Sequence, residues 1–214
     1  MMKDTHLIWD FNGTILDDVD ASIRSANRLL TAYGLSPLSS TEEYRRNFGF
    51  PIIDYYRRLG FDFDKVPYDV LAPEWVGYYL EYVKAAPLCK QVTDAFAYAA
   101  QKGLSQWVLS ATETEMLTKQ IRELGILDCF DGIYGMDNIH AHGKEALGRV
   151  WREEHPDARA LMLGDTDHDA TVAHAMGADC ILLTTGHQSR EVLERCNCLT
   201  VADSALDALH YALL

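Results

Sequence analysis

Short apolar runs recur along the chain at 5–10 (THLIWD), 105–110 (SQWVLS), 131–135 (DGIYG), 159–164 (RALMLG), 179–184 (DCILLT) and 198–202 (CLTVA), with helical patterns between them. Strand alternating with helix predicts an α/β fold, a Rossmann-like parallel sheet flanked by helices on both faces. The helix boundaries have local causes. Thr112 with Glu115 reads as a capping box opening a helix that Gly125 closes, Pro156 stops a helix over 144–155, and Gly177 ends the helix that follows Gly164.

The interval between the first two strands differs from the rest. It holds almost a hundred residues of helical pattern with no strand. Residues 19–33 place Ile23, Ala26, Leu29, Leu30 and Tyr33 at helical spacing, Ser40 and Glu43 form a second capping box, and 68–84 is a Tyr-, Leu- and Val-rich helix. Only 91–102 reads as a crossover helix of the sheet. The pattern predicts an α-helical domain inserted over 18–84, with Pro87 near its return, in a core made of 1–17 plus 85–214. No internal repeat, low-complexity tract or flexible linker interrupts this arrangement.

A chain of 214 residues, 48% hydrophobic, can bury a core without staples. Nineteen Lys and Arg against thirty-two Asp and Glu give a net charge of −13, which argues against nucleic acid or an anionic membrane surface as a partner. An anionic ligand therefore needs a local site. The five cysteines (Cys89, Cys129, Cys180, Cys196 and Cys198) form no CxxC pair and suggest neither a disulfide framework nor a zinc ribbon. With a polar start and no apolar stretch of membrane-spanning length, a soluble cytoplasmic protein is expected. The oligomeric state does not follow.

In an open parallel sheet, ligands bind beyond the carboxyl ends of the strands. Four segments there carry reactive groups: Asp10-Phe11-Asn12-Gly13-Thr14, Ser110-Ala111-Thr112, Gly143-Lys144, and Gly164-Asp165-Thr166-Asp167-His168-Asp169. Asp10 is the candidate nucleophile, and Ser110, Ala111 and Thr112 bring a hydroxyl and backbone N–H groups that suit a phosphate oxygen. Singly, each has an ordinary explanation: an aspartate at a strand-to-helix turn is most often an N-cap, and a lone lysine is a solvated side chain. The order of the four, each at a strand end, is what points to a site.

Together they resemble the signature of the haloacid dehalogenase superfamily, the aspartate-nucleophile phosphohydrolases, and within it the phosphoglycolate phosphatase-like proteins. The pattern there is Asp-x-Asp-Gly-Thr after the first strand, Ser or Thr after the second, a Lys, then Gly-Asp and a further Asp. Asp10, Gly13, Thr14, Ser110, Lys144, Asp165 and Asp169 match it. The resemblance implies a helical cap of the C1 type at 18–84 and a phosphatase acting on a small phosphorylated metabolite. It implies attack by Asp10 on phosphorus, giving an aspartyl phosphate that water hydrolyses. Three converging carboxylates repel one another by about 4 kcal/mol per pair at an effective dielectric of ~20, so a divalent cation is required. Oxygen ligands and a phosphate substrate point to Mg²⁺. By resemblance it would be held by the Asp10 carboxylate, the Asn12 backbone carbonyl and Asp165, with Asp169 orienting a water on the ion. Lys144 and Ser110 would then face the phosphoryl oxygens.

The sequence departs from the pattern at Asn12, where the phosphatases carry the aspartate that serves as general acid and base. An amide cannot do this, and such help is typically worth about 10²–10⁴-fold. Three outcomes stand open: a substrate with a good leaving group, a proton from elsewhere (His140, His142 or His168), or a weakly catalytic phosphate-ester-binding or regulatory protein. The lysine segment also lacks the Lys-Pro-x-Pro continuation common in the family. In the insertion, Arg45-Arg46-Asn47-Phe48-Gly49-Phe50-Pro51 resembles the family's Gly-x-Pro specificity loop, so Arg46 is a candidate substrate-binding residue, or equally a water-facing arginine at a helix C-terminus. Trp75, Tyr78, Tyr79 and Tyr82 read more simply as packing of the insertion than as a stacking platform.

Other classes fit less well. A phosphoacceptor signalling domain is shorter and lacks the insertion, and Asp165 and Asp169 count against a metal-free dehalogenase. A carbon–phosphorus hydrolase would need a cap lysine near the site, and neither Lys65 nor Lys84 lies in the loop expected there.

Overall fold

The computed structural model describes residues 5–136 and 143–213. Six strands, β1 (Thr5–Trp9), β2 (Ser105–Glu113), β3 (Gly132–Met136), β4 (Arg159–Gly164), β5 (Asp179–Leu183) and β6 (Thr200–Ala202), form one parallel sheet in the order β3-β2-β1-β4-β5-β6. This is the expected Rossmann-like α/β sheet, and the strand order reverses direction at β1, between β2 and β4. A crevice opens at such a switch point beyond the strand ends.

Ten α-helices accompany the strands among the described residues: α1 (Val19–Ala32), α2 (Thr41–Asn47), α3 (Ile52–Arg58), α4 (Tyr68–Tyr82), α5 (Val92–Gln101), α6 (Thr114–Glu123), α7 (Lys144–Glu154), α8 (Asp167–Ala175), α9 (Arg190–Leu193) and α10 (Ala205–Ala212). Alternate strand residues face opposite layers. Leu7, Trp9, Val108, Leu161 and Leu163 pack with Phe96 of α5, Leu117 and Ile121 of α6 and Leu209 of α10. Ile8, Leu109, Met162 and Leu182 pack with Trp151 of α7, Val172 of α8 and Leu193 of α9. Both faces are covered, which is why β1 is apolar at consecutive positions and not only at every second one. Each fully buried leucine or isoleucine here contributes roughly 1.5–3 kcal/mol relative to exposure.

Helices α1 to α4 form a separate apolar cluster around Leu29, Leu30, Tyr44, Tyr55, Tyr56 and Leu71. The chain leaves the sheet and returns at neighbouring points. Leu16 bridges Leu88, the Asp17 N–H donates to the Pro87 carbonyl at 2.9 Å, and the Cys89 N–H donates to Ile15 at 2.8 Å. No helix among the described residues is long and apolar enough to cross a membrane.

Two boundaries differ from expectation. Thr112 does not cap a helix: β2 runs on to Glu113, whose carboxylate accepts the N–H groups of Glu115 and Met116 and so opens α6 one residue later. The last strand is confined to residues 200–202. The Ser40 cap holds, its hydroxyl accepting the Glu43 N–H at 3.1 Å.

Candidate active site

The site is built at the carboxyl ends of β1 and β4. The Asp10 N–H continues the ladder to β4 by donating to Leu163 at 2.9 Å, which leaves the Asp10 side chain just beyond the strand end and buried. Gly13 follows at φ +76°, where a Cβ would lie 2.4 Å from an Asp165 carboxylate oxygen, so the turn needs glycine for its backbone and for its space. Gly186, after β5, presses on the same carboxylate from another side: a Cβ there would fall 2.0 Å from Asp165 Oδ2.

Asp165 and Asp169 are fixed by hydrogen bonds. Asp165 accepts from the Thr14 hydroxyl at 3.1 Å and the His187 N–H at 2.7 Å. One Asp169 oxygen accepts from the Thr166 N–H (3.0 Å), the Thr166 hydroxyl (2.7 Å) and the Asp165 N–H (3.1 Å), so this side chain does hold the helix start, as an ordinary capping residue would. Its other oxygen accepts from Lys144, which also donates to Asp10. Lys144 opens α7 behind Gly143 and is itself buried.

Ligand oxygens of Asp10, Asp165 and Asp169 all lie within 4.8 Å of one another. Burial pushes the Asp10 carboxyl up, Lys144 pulls it back, and Asp169 and Asp165 push again, leaving it well above the usual carboxylate range. Asp165 rises to about 6, chiefly by burial. Burial opposes the charges on Lys144 and Asp169 too, but Asp10 and then Asp169 outweigh it and raise the lysine, while Lys144 and the Thr166 hydrogen bonds lower Asp169. With all three ionised, three carboxylates around one ammonium would leave two negative charges unmatched, and that repulsion is what raises Asp10 and Asp165 beyond the effect of burial. An all-oxygen donor set with that excess fits a divalent cation, and these three residues could hold one.

A second network, not anticipated from the sequence, adjoins the first. The Asn12 amide donates to Tyr79 Oη at 2.7 Å and to Asp18 at 3.1 Å, and its oxygen accepts from the Thr112 hydroxyl at 3.2 Å. Tyr79 in turn donates to Asp18 at 2.7 Å, and the Gly13 N–H reaches the same carboxylate at 2.8 Å. His187 completes the set, with Nε2 3.2 Å from Asp18 and Nδ1 2.8 Å from the Tyr44 hydroxyl. Burial disfavours the imidazolium, but Asp18, then Asp165 and Asp10, raise it to about 9. Burial likewise opposes the Asp18 charge; His187, Tyr79 and Asn12 override it and keep Asp18 below its ordinary value. His187 had one legible signal, since it follows the strand end at 179–184. Asp18 and Tyr79 had none beyond their chemical type.

Asp10, Asn12, Ser110, Ala111, Thr112, Lys144, Asp165 and Asp169 all line one cavity of about 460 Å³. The buried Ser110 hydroxyl accepts from the Thr112 N–H at 3.1 Å. His168 lies in the same wall, its pKa lowered by burial, whereas His140 and His142 lie outside the described residues. Arg46 is not among the lining residues: it is exposed and donates to the Glu42 carbonyl of its own helix at 3.3 Å. Its neighbour Arg45 turns inward and donates to the carbonyls of Gly186 (2.8 Å) and Thr185 (3.1 Å), tying α2 to the loop after β5. Trp75 and Tyr79 stack at 5.0 Å and face the cavity, where the sequence favoured packing of the insertion over a stacking platform.

Known proteins share this fold. The phosphoglycolate phosphatase of Rhodobacter capsulatus is 25% identical over 191 residues, covering 85% of each chain. A haloacid dehalogenase-like hydrolase from Streptococcus pneumoniae superposes with a TM-score of 0.84 at 20% identity, over 99% of this chain and 100% of the other. Protein Tyrosine Kinase A of Mycobacterium tuberculosis also shares the fold, with a TM-score of 0.79 at 19% identity over 99% and 98% of the two chains. Such a spread of names shows that the fold alone does not fix the reaction. Residues 7–183 match the model of the haloacid dehalogenase-like hydrolases, and the chain belongs to that family.

Proposed function

We propose that this protein is a Mg²⁺-dependent phosphatase that hydrolyses a small phosphorylated metabolite through an aspartyl phosphate on Asp10. The observation that carries this reading is the buried cluster of Asp10, Asp165 and Asp169, with Lys144 in contact with Asp10 and Asp169. Asp10, the Asn12 backbone carbonyl and Asp165 would hold the ion, with Asp169 beside them in an orienting role. Bound there, it supplies the positive charge that lets an anionic nucleophile and an anionic ester coexist.

The chain's own groups do the rest. A carboxylate oxygen of Asp10 forms a bond to phosphorus as the ester oxygen departs with its electron pair. Water then attacks the same phosphorus, releasing phosphate and restoring the carboxylate. Lys144 faces both Asp10 and the incoming phosphoryl group. Ser110 and the Ala111 N–H would donate to phosphoryl oxygens, where fixed donors favour the developing charge, while the Thr112 N–H holds the Ser110 hydroxyl in place. Residues 18–84 act as a cap over a core of 1–17 and 85–214. Arg46 keeps a role toward substrate only if it turns away from Glu42.

A second reading, a protein that binds phosphate esters with little turnover, is favoured by one observation. The Asn12 side chain is fully engaged by Asp18, Tyr79 and Thr112 and offers no transferable proton to a leaving group. Phosphate release from acetyl phosphate, with and without Mg²⁺, separates the two. Mg²⁺-dependent release that disappears in Asp10→Asn supports the phosphatase; calorimetric binding of phosphate esters with no release supports the binding protein.

A further inference from the structure

The cavity above Asp10 is defined by rings and by the scarcity of positive charge. Phe48 and Phe50, from the loop between α2 and α3, meet edge to face at 5.7 Å, and Phe50 packs on His168 at 4.8 Å. Helix α4 contributes the stacked pair Trp75 and Tyr79, and Met116 adds a polarisable side chain. Among the described lining residues, Lys144 alone carries the charge of a lysine or arginine, and Asp10 and Asp169 already engage it. His187 is paired with Asp18, and the His168 ring packs against Phe50. Glu113 also lines the cavity and would repel an anion. Arg45 and Arg46 are both committed to carbonyl oxygens and line no part of it. A substrate with a second anionic group, such as phosphoglycolate with its carboxylate, would find no uncommitted lysine or arginine among the described lining residues. A flat, uncharged ring would find several rings to pack against.

Asn12 restricts the substrate independently. Without a carboxylic acid at this position, residue 12 gives the departing oxygen no proton, which favours an ester whose oxygen leaves as a stable anion. A phenol, with a pKa of ~10 like tyrosine, does this far more readily than an alkyl alcohol, whose pKa lies near that of water at ~15.7.

We infer that the substrate is an aryl phosphate monoester, a phosphate on the oxygen of a small phenolic ring with no second anionic group. The ring sits among Phe48, Phe50, Trp75 and Tyr79. This rests on the phosphatase reading above and specifies its substrate. In the step, an Asp10 oxygen bonds to phosphorus, the phosphorus–aryl oxygen bond breaks, and the phenolate departs and takes its proton from solvent. Water hydrolyses the aspartyl phosphate to inorganic phosphate. A cavity of about 460 Å³ admits such a molecule.

The test is kcat/KM with Mg²⁺ for phenyl phosphate, benzyl phosphate, 2-phosphoglycolate and acetyl phosphate. Phenyl phosphate is expected to exceed benzyl phosphate, which has the ring but an alkyl leaving oxygen, by at least a hundredfold, and 2-phosphoglycolate by at least as much. Because Phe50 is 42% exposed, Phe50→Ala should fold, and it is expected to raise KM for phenyl phosphate at least tenfold more than KM for acetyl phosphate. Equal rates on phenyl and benzyl phosphate, a preference for 2-phosphoglycolate, or equal effects of Phe50→Ala on both esters would overturn the inference. Turnover of acetyl phosphate with none of phenyl phosphate would overturn it while leaving the phosphatase reading intact. Turnover of none of the four would remove both.

Discussion

The Asn12 side-chain nitrogen donates to the Tyr79 hydroxyl at 2.7 Å, joining the loop after β1 to a helix 67 residues further along the chain. This bond, with the Tyr79 donation to Asp18, ties α4 to the loop after β1. Tyr79→Phe keeps the ring stacked on Trp75 and removes only the hydroxyl. Its expected cost is about 1 kcal/mol for the lost partners, read as a lower urea midpoint at unchanged slope.

Asn12→Asp by itself sets a carboxylate 3.1 Å from Asp18, where the amide now donates. The like charges should cost roughly 2–4 kcal/mol of stability. Adding Asp18→Asn should recover most of it. The double variant is then expected to hydrolyse benzyl phosphate at least ~10²-fold faster than the natural chain, the usual worth of an acid–base group. Unchanged turnover in a stable double variant would show that the amide is not what limits alkyl esters.

Lys144→Met removes the only ammonium among three buried carboxylates. Breaking a buried ion pair on one side costs about 3–5 kcal/mol, so the variant should be strongly destabilised in chelator. Mg²⁺ should restore part of that loss. Denaturation curves with EDTA and with Mg²⁺ measure both.

Mg²⁺ binding only to the folded chain should stabilise it by about 2.7 kcal/mol at a hundredfold excess over the dissociation constant, seen as a rise in Tm. Asp165→Asn should abolish the rise. Gly186→Ala keeps every carboxylate but drives a methyl into Asp165, and a loss of about 10–100-fold in Mg²⁺ affinity is expected, as for other residues that hold a ligand in place. Calorimetric titration with Mg²⁺ gives the value.

The sheet was legible because its strands are buried on two faces and so appear as unbroken apolar runs such as Leu7-Ile8-Trp9. The carboxylates and Lys144 were legible because each sits directly after a strand or opens a helix, where the chain's own turn chemistry marks the place. The Asp18, Tyr79 and His187 network was not, because its members come from three distant segments and meet only through packing of α4 against the loops. Arg45 and Arg46 show the same limit. Adjacent helical positions point about 100° apart, so sequence identified an arginine pair but not that Arg45 turns inward while Arg46 faces solvent. The Thr112 boundary failed for a different reason: Glu113 offers a stronger acceptor to the same orphan N–H groups.

The proposed transfer of the phosphoryl group to the Asp10 carboxylate can be caught by acid quenching. Enzyme mixed with ³²P-labelled acetyl phosphate and Mg²⁺, denatured in acid within the first turnover and digested, should carry label on the peptide containing Asp10 and none in Asp10→Asn. Phosphate release at full rate with no label on that peptide, at any quench time, would contradict it.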